Sequence, residues 1–153
     1  MKRAEKSYCA FTLAGHLFGI DVLRVQEVLP SMPMTRVPLA PPELAGLINL
    51  RGQVLPALDL RSKLALPPRA ADAPTMTVVI RSDEGPLSLL VDEIGQVLDV
   101  EQDSFERPPD TLKGELRELI PGAYKLKERL LLALDVDRLL APKTAPSEGE
   151  SAE

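Results

Sequence analysis

The sequence predicts an all-β fold of two small barrel-like units, about five strands each, packed together and finished with short helices. Three observations predict it. First, the stretch Gly46 to Leu64 (Gly-Leu-Ile-Asn-Leu-Arg-Gly-Gln-Val-Leu-Pro-Ala-Leu-Asp-Leu-Arg-Ser-Lys-Leu) has a second, ungapped copy at Gly122 to Leu140. The copies share the Gly, the Leu before Arg-Gly, the Ala-Leu-Asp triplet and the final Leu. Second, short apolar runs alternate with turn residues along the chain. Third, fifteen prolines disfavour a helical bundle, because interior proline breaks helices.

The elements follow in order. Tyr8 to Leu13 reads as a strand, Ala14-Gly15-His16 as a turn and Leu17 to Val22 as the returning strand. Val25 to Leu29 is a further strand. Pro30 to Pro42 holds five prolines and reads as a stiff loop, with edge pairing only around Thr35-Arg36-Val37. Pro42 to Ala45 fits one helical turn. Gly46 to Leu64 is a hairpin turning at Arg51-Gly52, then a short helix opened by Asp59. Leu66 to Thr75 is a linker-like break. Met76 to Arg81 and Leu87 to Val91 repeat the opening hairpin, and Ile94 to Leu98 repeats Val25 to Leu29 in spacing. Asp99 to Asp110 reads as an acidic loop, Leu112 to Leu119 as a short helix, and Gly122 to Leu140 closes the duplication. Residues 142–153 are expected to form a disordered acidic tail. One folded domain over 1–141 follows, with lobes at about 7–68 and 74–141. Each lobe is too small for much core of its own, so an apolar seam is expected between them.

Composition narrows the function. Cys9 and His16 are the only cysteine and histidine, so no internal disulfide forms and metal or triad chemistry has little to use. No apolar run is long enough to span a bilayer, and no apolar signal segment opens the chain, so a cytoplasmic protein without membrane insertion is expected. The net charge of −5 divides into +4 over 1–70, −7 over 71–141 and −2 over the last twelve residues. That division favours oriented docking to charged partners. The acidic total argues against nucleic acid.

Arg51 is the strongest candidate. A guanidinium on a turn can grip a carboxylate in a bidentate pair. Arg-Gly is lost from the second copy, where Lys127-Glu128 stands. Glu27 is equally well read as a partner contact or a solvated strand residue. Val25 reads as core unless it lines a helix-binding groove. Asp59 and Asp135 occupy equivalent positions and could in principle form a shared-proton dyad, but capping of two short helices is the stronger reading. His16 reads as an exposed turn residue and Cys9 as buried and inert.

Phe11-Thr-Leu, Phe18-Gly-Ile-Asp-Val, Val25-Gln-Glu-Val, Thr35-Arg-Val-Pro, Gly46-Leu-Ile-Asn-Leu-Arg-Gly and Val54-Leu-Pro-Ala-Leu-Asp-Leu-Arg, in this order, resemble the bacterial chemotaxis coupling protein family, CheW. Leu90-Val-Asp-Glu-Ile-Gly-Gln-Val adds a match in the second half. The resemblance spans roughly Ser7 to Leu140. It implies two SH3-like five-stranded barrels whose terminal strands can be exchanged, so the lobe boundary is approximate. It also implies a non-catalytic adaptor with no cofactor. Its partners would be the helical hairpin tip of a chemoreceptor and the regulatory domain of a CheA-type histidine kinase, in receptor arrays at the membrane. Carried onto this chain, Glu27 and Val25 lie near the receptor groove, Arg51, Asn49 and Gly52 form the functional turn, and Gly46 lies near the kinase contact. Two other readings stay open: a diverged coupler that binds the receptor alone, and a duplicated-barrel hydrolase using Asp59 and Asp135.

Overall fold

Among the described residues, alternating apolar residues build eleven strands, and the turns between them are set by glycine, proline and aspartate. The computed structural model describes residues 5–70 and 72–141. The first half contributes β1 (Glu5–Leu13), β2 (His16–Asp21), β3 (Val25–Pro30), β4 (Leu44–Leu50), β5 (Gln53–Asp59) and α1 (Leu60–Lys63). The second contributes β6 (Met76–Ile80), β7 (Leu87–Val91), β8 (Glu93–Glu101), β9 (Phe105–Glu106), α2 (Gly114–Leu119), β10 (Gly122–Lys125), β11 (Leu130–Ala133) and α3 (Val136–Leu140). The chain is all-β in two lobes with short helices, as its sequence predicts.

The two sheets do not follow the two halves. One sheet has the order β8-β1-β2-β11-β10-β9 and the other β3-β6-β7-β5-β4. Each opening hairpin therefore sits in the sheet built mainly by the other half. A cut between 68 and 74 leaves each sheet holding a hairpin from across the cut. The joins are parallel and equivalent: Ala133 pairs with Gly19 in one sheet, and Ala57 with Ser88 in the other.

This exchange creates the main core. Phe11, Phe18 and Ile20 from the first hairpin and Val78, Ile80 and Leu89 from the second are fully buried together with Leu60 and Leu139 of the short helices. This is the predicted apolar seam. Each barrel also has a smaller interior of its own. Ile48, Leu55, Ala57 and Val79 fill one. Tyr8, Tyr124 and Leu131 fill the other, where the two phenol oxygens lie 3.3 Å apart. Burial pushes the Tyr8 hydroxyl pKa well above the ordinary phenol range, and its bond to Tyr124 pushes it the same way.

Three local expectations change. Pro41 to Leu44 makes one turn, with the Leu44 amide donating to the Pro41 carbonyl at 3.0 Å, but Leu44 already begins β4 instead of continuing a helix. Pairing of Leu44 with Leu58 wins over helix formation. The acidic stretch is not one loop. β8 runs to Glu101, then a 3-10 turn (Gln102–Ser104) leads into β9. Its acids Glu93, Asp99 and Glu101 lie at odd positions facing water, while Val100 is buried. The helix expected from Leu112 starts at Gly114. The expected tail, 142–153, lies outside the described residues.

The glycine that opens each repeat has a steric reason. A Cβ on Gly46 would come within 2.7 Å of the Thr35 carbonyl oxygen. Thr35 bridges to Leu47 there. At Gly122 the added carbon would lie 2.5 Å from the Glu106 carbonyl oxygen and 2.2 Å from the Phe105 ring. Both lobes thus pass a crossing segment directly over the glycine, an isolated bridge at Thr35 in one and β9 in the other. Replacing either with alanine is expected to cost about 1–3 kcal/mol by overpacking. Gly122→Ala should be the worse, since ring and carbonyl both block it. Urea unfolding of the two variants checks this; unchanged midpoints would contradict the close approach.

Candidate functional site

The Asn49-Leu50-Arg51-Gly52 turn is built from its sequence. Arg51 at φ +53° and Gly52 at φ +90° place two consecutive residues in the left-handed region, the signature of a type I′ hairpin turn. Leu50 pairs with Gln53 across it. The Asn49 side-chain oxygen accepts from the Gly52 amide at 2.8 Å and holds the turn shut. Arg51 bears the strain of a side chain at positive φ and projects its guanidinium to Glu27 on β3, where an Nη donates to a carboxylate oxygen. β3 and β4 are the two edges of their sheet. The pair therefore spans the open end of the barrel. Arg51 is 65% exposed and Glu27 25%, so the pair is screened and weak as a stabiliser.

Of the six candidate residues, the structure brings Arg51, Asn49, Gly52 and Glu27 onto one surface. Gly46 is buried beneath the Thr35 crossing. Val25 packs against the seam, and its carbonyl accepts from Arg81 at 2.7 Å. The equivalent turn in the other lobe, Leu126 to Arg129, has the same length and is closed by a 2.8 Å bond from the Leu126 amide to the Arg129 carbonyl. It lacks positive φ at Lys127 and Glu128. The scaffold repeats; the turn type does not.

Asp59 and Asp135 sit at the N-termini of different helices on different sheets. Asp59 accepts from the Arg61 amide at 3.1 Å and Asp135 from the Arg138 amide at 3.1 Å. Each carboxylate is occupied by its own helix, as the capping reading requires. Among the described residues no group of three or more His, Cys, Asp or Glu could hold a metal ion. Cys9 is buried, and burial pushes its thiol pKa up, which disfavours the reactive thiolate. His16 is exposed, with its ring edge-on to Phe18 at 6.4 Å.

Sequence reasoning missed two features. One is a charged knot under the seam. Arg61 donates to both Asp92 oxygens at 3.0 and 2.5 Å, the Ala14 amide donates to Asp92 at 2.9 Å, and Arg69 reaches Asp92 and Asp59 at 3.5 and 3.4 Å. Burial alone would raise the Asp92 pKa. The bonds from Arg61 and Ala14 and the fields of both arginines outweigh it, and the carboxyl is held below its usual range.

The other is a set of exposed apolar side chains at equivalent positions. Val28 and Val97 match by strand spacing, and Val54 and Leu130 match in the repeat. Met34 and Phe105 each precede the residue that crosses opposite the paired Leu47 and Ala123. Six of the eight large apolar residues exposed among those described are thus three positions presented twice. Reading exposure through the repeat would have found them.

The sequence blocks, the exchanged double barrel and the Arg51 turn decide the family when compared with known proteins. The family described as the CheW-like domain matches residues 7–143. The chain belongs to the CheW-like domain family. It is 30% identical over 136 residues to chemotaxis protein CheW of Klebsiella aerogenes, covering 89% of this chain and 82% of that protein. It is 30% identical over 147 residues to chemotaxis protein CheW of Bacillus subtilis, covering 96% and 94%. The crystal structure of scaffolding protein TtCheW from Thermoanaerobacter tengcongensis shares the fold, with a TM-score of 0.80 over 92% of this chain and 95% of that one, at 24% identity. Both 30%-identical relatives are named as chemotaxis proteins. No helix among the described residues is long and apolar enough to cross a membrane.

The charged knot makes a pH prediction. Asp92 is depressed in the fold, so its contribution is complete above the unfolded carboxylate value, about 4. It is lost as pH falls from there through the lower folded value. Asp92→Asn should lower stability at neutral pH by about 1–3 kcal/mol and flatten the acid limb below pH 4. Urea midpoints from pH 2 to 7 measure both; an acid limb as steep as in the parent protein would exclude Asp92 as its source.

Proposed function

We propose that this protein is a non-catalytic coupler that joins chemoreceptor tips to the regulatory domain of a CheA-type histidine kinase, within receptor arrays at the membrane. The observation that carries the reading is the duplication of exposed apolar positions on two lobes fused by one buried seam. A rigid body with two separate docking faces is what a bridge between two partners requires. An enzyme would need a convergent set of reactive groups, and the two aspartates that could have supplied one are each engaged at a helix end. Many weak contacts in an array add up by multivalency, so modest affinity at each face suffices.

The Arg51 turn supplies charge recognition beside the apolar positions. Glu27 holds the guanidinium extended, and a partner carboxylate can then engage its remaining donors. Val54 lies directly across from Asn49, so an apolar and a polar position share one face of the hairpin beside the Arg51–Glu27 pair. Apolar and charged contacts thus come from neighbouring positions, as in interface hot spots.

Titration calorimetry with the regulatory domain of the organism's own kinase tests this. Saturable binding is expected, with Arg51→Ala weakening it by about tenfold, or 1.4 kcal/mol. Folding stability should fall by less than about 1 kcal/mol, because the pair is exposed. A folded parent protein that binds no kinase domain would refute the kinase half and leave a receptor-only coupler.

A further inference from the structure

Leu39 is at once strained and fully exposed. Its φ is +63°, in the left-handed region that glycine and asparagine favour, and no other large apolar residue described is as open to solvent. It occupies the third position of a turn, Val37-Pro38-Leu39-Ala40, closed by the Ala40 amide to the Val37 carbonyl at 3.3 Å. Proline second and positive φ third are the marks of a type II turn, where glycine usually takes Leu39's place. A leucine there costs conformational energy and gains no burial within its own chain.

The turn is also held rigidly. On one side Thr35 and Leu47 exchange backbone bonds of 2.9 and 2.8 Å, and on the other the Asp59 amide donates to the Glu43 carbonyl at 2.8 Å. Pro38, Pro41 and Pro42 stiffen the span between. Strain that persists in a pinned, exposed element points to function. The pinning also prepays the ordering cost of binding.

We propose that Leu39 is a preformed docking anchor that inserts into an apolar, carboxylate-edged socket on the kinase's regulatory domain. This rests on the coupler reading above. The socket's apolar floor follows from the leucine. Its acidic edge follows from Arg36, three residues away, exposed and without an ion pair among the described residues. Met34, Arg36, Leu39 and Arg69 line one groove of about 700 Å³ beside the turn. A protruding side chain needs a concavity, which a folded domain offers more readily than the ridged surface of a helical hairpin.

The test separates stability from binding. Leu39→Asn relieves the backbone strain and removes the anchor, so its melting temperature should rise by about 2–4 °C while kinase-domain affinity drops by about tenfold. Leu39→Met keeps an apolar anchor of similar volume and should bind as the parent does. An Asn variant that binds the kinase domain as tightly as the parent overturns the anchor alone. So does one that loses only receptor-tip binding. A parent protein that binds no kinase domain overturns both this and the kinase half of the coupler reading.

Discussion

Everything in this fold depends on two connections that are too short. β2 and β3 are separated by Val22–Arg24, and β7 and β8 by Asp92 alone. In its own sheet, antiparallel pairing beside β1 would require β3 to start at the far end of β2, about 20 Å back along six residues. Three residues span about 10 Å at most. The place beside β2 is filled by β11. The chain instead continues across the molecule and pairs with β6, while β8 crosses the other way to β1. The exchange is thus a consequence of linker length, and the buried seam is a consequence of the exchange. Neither barrel can leave the other without giving up a hairpin.

Two ion pairs mark the crossings, and they are reversed in sign. At one, Arg24 after β2 meets Asp137 of α3 at 2.9 Å; at the other, Asp92 after β7 meets Arg61 of α1 at 2.5 Å. Asp137 and Arg61 occupy the same position in the repeat. The pairs do not have equal weight. Asp137 is largely exposed, so its pair is screened, whereas Arg61 and Asp92 are mostly covered and Asp92 also accepts from the Ala14 amide. An uncompensated charge left in that second place would be costly.

The sequence made the local elements legible because their signals are local. Apolar alternation located the strands, Arg-Gly located the hairpin turn, and Asp59 and Asp135 located the helix starts. The residue pattern hides the exchange, because it turns on which distant hairpin fills each sheet and both hairpins carry the same alternation; only the family resemblance implies that strands can be exchanged. The charge of Asp99 to Asp110 suggests a loop, but the period of two at its start, with Val100 inward between Asp99 and Glu101, continues the strand. Within the site, Arg51, Asn49 and Gly52 were legible as a turn, and their contact with Glu27 follows only from the curl that brings two sheet edges together. Leu39 gave no signal, because leucine is not a residue that sequence patterns associate with positive φ.

The exchange also redistributes charge in a way that the halves conceal. Residues 22–91, which build the lobe carrying Arg51, hold seven basic and six acidic residues. Residues 5–21 with 92–141, which build the other lobe, hold eight basic and fourteen acidic. The first half's positive charge is therefore not a property of a lobe. What distinguishes the lobes is a nearly neutral surface with one organised arginine turn against a strongly acidic surface with a plain one. Their equivalent apolar positions make the two faces alike in shape, and their charges make them unlike in preference. Under the coupler proposal, apolar contact would supply affinity at either face, and electrostatics would decide which partner arrives there. A duplicated scaffold with unequal decoration can hold two different partners without confusing them.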